Sequence, residues 1–223
     1  MQRAIEIWSE SFPTLLSATV KVTIPLAVVS FLLAFAIGIV VAIVRFERVP
    51  VLSQLGAVYV WIFRGTPLLV QLFIVFFGLG SAGIQIDAWP AAICTLAANT
   101  GAYNAEALRG GLTSVPKGQW EAGRSLNLTH VQILRYVVVP QGFRVAIPTL
   151  TSNFIDLVKG TSLVSSITLV DVFLQAQFIA SRNFEPLLMY IQVAVIYLVI
   201  STLLTWLQMA LEKRTSRFIE SDA

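Results

Sequence analysis

Asn99, Tyr103 and Glu106 follow one another at spacings of four and three, and Asn153, Asp156 and Lys159 at spacings of three, inside stretches that are otherwise apolar. Helical periodicity puts each set on one face of its helix. Thr100 beside the first set, and Thr161 and Ser162 beyond the second, add hydroxyls. Together the stripes supply donors, acceptors and both signs of charge, the equipment for holding a small polar solute. Ionisable groups in apolar segments are costly and turn toward a bundle interior or a wet cavity. The same spacings let Asp156 pair with Lys159, and Glu106 with Arg109, as glue between helices and nothing more. An acid or base role in an intramembrane enzyme is a third option for Glu106 or Asp156, but no His/Cys/Ser constellation and no metal-ligating set accompanies them.

The elements that carry these stripes must lie in a bilayer. With 57% hydrophobic and 12% charged residues and a mean hydropathy of +0.80, the chain is too apolar for a soluble domain of its length. A helix needs about 20 apolar residues to cross about 30 Å of hydrocarbon. On that measure spans are predicted at about 22–44, 57–79, 89–108, 145–170 and 186–211. The expected fold is an all-α membrane protein, one domain over 1–223, built as a bundle of five transmembrane helices. Gly65 and Pro67 admit a break or kink in the second span, and Arg64 beside them reads as an interfacial anchor, with a ligand role as the alternative. The stretch Met1–Ser11 carries Glu6 and Glu10 and lacks a basic run or a cleavage site, so no cleavable signal is expected. Cys94 is expected to be a small buried residue and His130 a solvated one. The net charge of +3 supports no inference of nucleic-acid binding.

Between the third and fourth spans lies a polar island, Ser114–Pro140. Ser114 and Pro116 are expected to open a first helix running through Trp120, Glu121 and Leu126, with Asn127 ending it in the left-handed conformation. Thr129 and Gln132 fit a capping box for a second helix. That helix offers Val131, Leu134, Tyr136 and Val138 for burial and is expected to close at Pro140. The basic residues orient the whole. Placing the N-terminus outside puts Arg45, Arg48, Arg109, Lys117, Arg124, Arg135, Arg144, Lys213, Arg214 and Arg217 in the cytoplasm and leaves Arg3, Lys21 and Arg182 at the outer face. The island then lies in the cytoplasm, as does the C-terminus.

The island resembles the EAA coupling loop of ABC importer permeases. Glu121, Ala122 and Gly123 stand at the E-A-A positions, Asn127 at the usual glycine, and Val139 with Pro140 at the closing aliphatic-proline pair. Arg64-Gly65-Thr66-Pro67, Ala102-Tyr103, Ala105-Glu106, Arg109-Gly110-Gly111, Lys117-Gly118-Gln119, Pro140-Gln141 and Thr161-Ser162-Leu163 are similar, in order, to the polar amino-acid branch of these type I importers. The stretch Gln175–Arg182 and the fifth span look most like cystine-type members. Gly160 stands where the branch commonly has an aspartate, which argues against a strongly basic substrate.

The resemblance implies a division of labour. The chain would be the translocation subunit of a bacterial inner-membrane importer and no enzyme itself. It has no G-x-x-x-x-G-K-[ST] loop, so ATP and its Mg2+ would be bound by a partner ATPase and no cofactor by this chain. The implied partners are two cytoplasmic ABC ATPase subunits, a second permease subunit (a copy or a paralogue), an extracytoplasmic solute-binding protein and membrane lipid. Coupling to the ATPase would fall to Trp120, Glu121, Ala122, Gly123, Arg124, Asn127 and Leu128, with Trp120, Glu121, Arg124 and Leu128 as the docking face. The substrate pathway would be lined from Asn99, Thr100, Tyr103, Glu106, Asn153, Asp156, Lys159, Thr161 and Ser162. An ATP-independent ion-coupled carrier or channel is the competing class, and it would use the same intramembrane charges.

Overall fold

A computed structural model describes residues 2–216, all helical apart from short connections and without a strand among the described residues. Arg217, counted above among the basic residues of the C-terminal end, lies outside them. The chain opens with α1 (Gln2–Ala18), which passes through a π turn at Thr19–Thr23 into α2 (Ile24–Phe46). The helix expected at 22–44 is thus the second half of one continuous rod. After α3 (Leu52–Gly65) come the short α4 (Leu68–Phe73), a π turn at Ile74–Gly78, and α5 (Leu79–Ser81). The long α6 (Ala88–Thr113) leads to α7 (Lys117–Ser125) and α8 (His130–Ile133). A π turn at Leu134–Val138 joins α8 to α9 (Val139–Gly160), which ends in a 3-10 stretch, Thr161–Ile167, before α10 (Val172–Asn183) and α11 (Pro186–Ser216).

The segment expected as one span at 57–79 is bent by 107° between Gly65 and Leu68. Pro67 has no N–H and its ring keeps Thr66 out of the helical region, at φ −122° and ψ 146°. Pro140, by contrast, does not end its helix. The Val139 N–H bonds to Leu134 O, a π turn one residue ahead of the proline, and the Ile24 N–H bonds to Thr19 O one residue ahead of Pro25. At both places the widened turn moves aside the carbonyl that the ring would otherwise strike. The fourth expected span, 145–170, gives way at Gly160 to the 3-10 stretch, which Thr168 closes in the left-handed conformation at φ 65°.

By length and composition, Ile5–Phe46 and Pro186–Ala210 suffice to cross a bilayer, and four segments do if each bent pair counts as one. Helix α6, with Asn99, Asn104, Glu106 and Arg109, is not among them, because its polar residues lower its hydropathy. It is instead the central post. Small residues of α2 (Ala27, Ser30, Ala34, Gly38, Ala42) are buried, as are Ala91, Ala92, Ala97, Ala102 and Ala105 of α6. A Cβ on Gly38 would stand 2.7 Å from Asn104 Cβ. This close approach of backbones through small side chains is how helices pack when the solvent is itself apolar. Cys94 departs from its expected burial: it sits on the outward face of α6 and is exposed. Large apolar side chains also point outward, among them Leu32, Val40, Trp61, Leu198 and Trp206, as suits a surface wetted by lipid rather than water.

A second core ties α1, α10 and α11 together through Leu15, Val172, Ala176, Met189 and Val193. Buried Gln192 accepts from Ser11 Oγ at 2.7 Å and donates to Trp8 O at 3.0 Å. Asp171, fully buried, caps α10 by accepting from the Leu174 N–H at 2.9 Å. Burial pushes its carboxyl up to about 6, against the opposing pull of the Leu174 and Phe173 N–H groups.

Candidate functional site

The two polar stripes meet. A cavity of about 280 Å3 is lined by Asn99, Thr100 and Tyr103 of α6, Asn153, Asp156 and Leu157 of α9, with Leu96 and Leu68 beside them. Leu68 comes from the helix restarted after the break, so the bend at Pro67 places one wall. Polar side chains hold that bend open. Gln71 Nε2 donates to Phe63 O at 3.0 Å, to Thr66 O at 3.1 Å and to Thr66 Oγ1 at 2.8 Å. Asn99 Nδ2 donates to Gln71 Oε1 at 2.9 Å and to Phe63 O at 3.2 Å. Carbonyls released by the interrupted helix are thereby satisfied from within the protein, as an apolar surrounding requires. Across the cavity, Asn153 Nδ2 donates to Asn104 Oδ1 at 2.9 Å, fastening α9 to α6. Asp156 and Lys159 pair at 2.7 Å, yet both side chains are more than half exposed.

Next to the cavity, Glu106 is ringed by guanidinium groups. Arg45 of α2 hydrogen-bonds to Oε1, Arg109 to Oε2 at 3.0 Å, and Arg64 of α3 stands 4.0 Å from Oε2. Arg64 also lies over the ring of Tyr103, 5.2 Å from its centroid, a cation–π placement. The cluster joins three helices around one carboxylate.

The polar island forms an elbow. Helix α7 ends in a Schellman arrangement: Asn127 is left-handed at φ 56°, its N–H bonds to Arg124 O at 2.9 Å, and the Leu128 N–H bonds to Gly123 O at 3.1 Å. Thr129 and Gln132 form the capping box of α8, with Thr129 N–H on Gln132 Oε1 at 2.8 Å and Gln132 N–H on Thr129 Oγ1 at 3.3 Å. Ser114 does not cap α7, which starts after Pro116; its hydroxyl donates back to Gly111 O at the end of α6. Ile133 and Val138 are buried under the elbow, whereas Val131 and Tyr136, expected to be buried, are 68% and 65% exposed. Ile133 and Val138, five positions apart across the π turn, take the inward face, and Val131 and Tyr136 fall on the outward one. Trp120 is half-buried, stacked on Phe46 and on His130, and His130 Nε2 lies 2.8 Å from Glu47 Oε2. His130 is therefore a tie between the elbow and the end of α2 rather than a merely solvated side chain.

A family model described as binding-protein-dependent transport system inner membrane component matches residues 34–217. This chain belongs to that family. The permease is 41% identical over 215 residues to the L-cystine transport system permease protein TcyB of Bacillus subtilis (strain 168), covering 96% of this chain and 92% of the relative. It is 37% identical over 218 residues to the nopaline transport system permease protein NocM of Agrobacterium fabrum, covering 93% and 90%. Among solved structures, a crystal structure of an amino acid ABC transporter with histidines matches with a TM-score of 0.87 at 33% identity, over 92% of this chain and 96% of that one. An inward-facing MetNI methionine ABC transporter shares the fold, with a TM-score of 0.73 at 21% identity over 86% and 92%. The resemblance carried by the motifs is borne out.

Within the permease the sequence-predicted residues divide. Asn99, Thr100, Tyr103, Asn153 and Asp156 line the cavity, Glu106 sits in the arginine cluster, and Lys159 reaches the cavity only through Asp156. Thr161 faces away from it, fully buried and donating to Val158 O at 2.7 Å, and Ser162 donates to Lys159 O at 2.8 Å. On the elbow, Glu121, Ala122, Arg124 and Asn127 are exposed, Gly123 is buried against Ile133, and Leu128 packs into the small core beneath with Trp120. Two residues stood outside the predicted site, Gln71 and Arg45, the latter read only as a basic residue of the cytoplasmic side. A glutamine four residues after Pro67 is a usable signal for the first; nothing local marks the second, which meets Glu106 only through the packing of α2 on α6.

Proposed function

We propose that this permease is the membrane subunit of an ATP-driven importer that carries a polar amino acid, cystine or a close relative, into the cytoplasm. The observation that carries this reading is mechanical: the capping box at Thr129 starts a helical path that runs through the π turn into α9 without interruption, and α9 bears Asn153 and Asp156 on the cavity wall. A displacement applied to the exposed elbow is therefore a displacement of the wall that faces the solute. Rigid-body motion of this kind needs a preformed handle, and both caps of the elbow are made before any partner arrives.

In this reading the chain crosses the bilayer five times, with α3 to α5 as one bent span, the N-terminus outside and the C-terminus in the cytoplasm. The excess of arginine at the elbow end of the bundle supports that orientation. Two ATPase subunits, which bind ATP and Mg2+, grip the elbow at Glu121, Ala122, Arg124 and Asn127, with Leu126, 74% exposed, as the apolar contact. Trp120, Gly123 and Leu128 serve from behind by holding the elbow to the bundle. A solute-binding protein delivers the amino acid, and a second permease subunit covers the exposed Asp156 and Lys159, which lipid would not solvate. In the cavity, Asp156 and the amide oxygens suit an ammonium group, and the amide and hydroxyl donors suit a carboxylate. The relative named for L-cystine supports cystine as the amino acid, and Gly160 in place of an acidic residue is consistent with a substrate that is not strongly basic.

Reconstitution tests the proposal. Proteoliposomes holding the permease with its co-purifying ATPase and solute-binding protein are expected to accumulate L-cystine only when ATP is supplied on the elbow side. Uptake by the permease alone, without nucleotide, would identify an ion-coupled carrier instead.

A further inference from the structure

The rod that runs from α8 through the π turn into α9 is gripped at its base. His130 is the first residue of α8. Its Nε2 lies 2.8 Å from Glu47 Oε2 at the end of α2, and its ring stacks on Trp120 with centroids 5.2 Å apart. Trp120 in turn stacks on Phe46, with centroids 6.3 Å apart. Glu47, His130, Trp120 and Phe46 therefore close a ring of contacts among α2, α7 and α8. An ionised carboxylate can only accept, so the proton between His130 and Glu47 belongs to Nε2. An imidazole held at its edge by one helix and on its face by another has a single orientation.

The α2 side of this ring is itself fixed. Arg45, the residue before Phe46, hydrogen-bonds to Glu106 of α6, which Arg109 holds by its other oxygen. Further along, Gly38 lies so close to α6 that a Cβ would stand 2.7 Å from Asn104 Cβ. Helices α2 and α6 thus form one body, and the tie joins the base of the rod to it. Stability is not what the tie supplies: the His130 and Glu47 side chains are 55% and 26% exposed, and ion pairs this open contribute little. Neither residue is among those lining the cavity.

We propose that His130 is a positioning residue whose tie to Glu47 is the fulcrum of the elbow. This deepens the proposed function and rests on it. A push on the exposed face of α7 turns the elbow as one piece, because Gly123 packs on Ile133 and the Schellman turn fixes α7 to α8. With its base held against α2, the rod swings at its far end, which carries Asn153 and Asp156. Freed from Glu47, the base slides along α2, and the same push moves the wall less. Hydrolysis by the partner ATPase then continues while less solute is carried.

The first test measures ATP hydrolysed per L-cystine taken up, in proteoliposomes holding the permease, its ATPase and the solute-binding protein. His130→Ala and Glu47→Leu are each expected to raise that ratio by about threefold, the upper range for one exposed ion pair, with the ATPase still co-purifying. The double variant is expected to be no worse than either single one, and Glu47→Gln, which keeps an acceptor oxygen, to stay near wild type. A ratio unchanged in His130→Ala, or uptake and hydrolysis that fall in proportion, overturns the fulcrum. The second test needs no transported solute. In a Cys94→Ser background, spin labels on Arg48→Cys and Val131→Cys report the distance between the end of α2 and the elbow as ATP is trapped with vanadate. That distance is expected to hold while His130 is present and to spread in His130→Ala; the same behaviour with and without His130 overturns the proposal. Complexes that hold the distance yet carry no L-cystine would set aside the proposed function and leave the fulcrum standing.

Discussion

Gly111 of α6 and Gly142 of α9 meet backbone to backbone, so closely that a Cβ on Gly111 would stand 2.2 Å from Gly142 O. The neighbouring Gly110 has nothing within 4 Å of its own Cβ position. This crossing sets how far α9 stands from α6, and so how wide the cavity above it opens. Gly111→Ala is expected to force the helices apart and cost about 2 kcal/mol or more, by analogy with overpacked cores. Gly110→Ala, which adds helix propensity without a clash, is expected to be neutral or stabilising by up to about 1 kcal/mol. Thermal unfolding of the two variants in the same detergent separates them.

Gln71→Leu keeps the bulk of the side chain and removes its donors to Phe63 and Thr66. The released carbonyls then have no partner at the bend. A loss of about 1–3 kcal/mol is expected, and because the bend places Leu68 in the cavity wall, uptake should fall as well. Stability that is lost while uptake at low temperature stays at the wild-type level would dissociate the bend from the pathway.

Glu121→Lys inverts the charge of an exposed elbow residue whose neighbours in the fold are otherwise undisturbed. Loss of ATPase co-purification and of ATP-dependent uptake is expected, with no change in unfolding temperature, since surface charges contribute about 0–1 kcal/mol to stability. Retention of both activities would remove Glu121 from the interface.

Asp171 gives a pH signature. Its carboxyl, at about 6 in the folded chain against an ordinary 3.8, binds its proton more tightly folded than unfolded. The stabilisation is therefore complete below the unfolded value near 4 and is lost as pH rises through about 6, by up to about 3 kcal/mol. Asp171→Asn keeps an N-cap acceptor and is expected to flatten this part of the stability curve between pH 4 and 7. A wild type whose stability rises with pH over the same interval, in parallel with the variant, would contradict the buried neutral carboxyl.

Much of this molecule was legible before folding was considered, because local chemistry carries it. The left-handed Asn127, the Thr129–Gln132 capping box and the break at Gly65–Pro67 follow from what a few adjacent residues can do with their own backbone. So does the grouping of Asn99 with Tyr103 and of Asn153 with Asp156, which needs only the helical repeat. The continuity of α8 into α9 was not legible, since a proline reads as a stop until the π turn ahead of it is seen to move the opposing carbonyl. The outward turn of Tyr136 depends on that same register, whereas the inward turn of Trp120 and Leu128 comes from their packing on Phe46, His130 and the small core beneath the elbow. That Arg45 reaches Glu106, that Arg64 lies over Tyr103, and that the two stripes face one another were decided by the packing of α2, α3 and α9 around α6. Residues 61 positions apart, such as Arg45 and Glu106, leave no periodicity along the chain: sequence set the chemistry of each helix face, and only the close crossings at small residues determined which faces would meet.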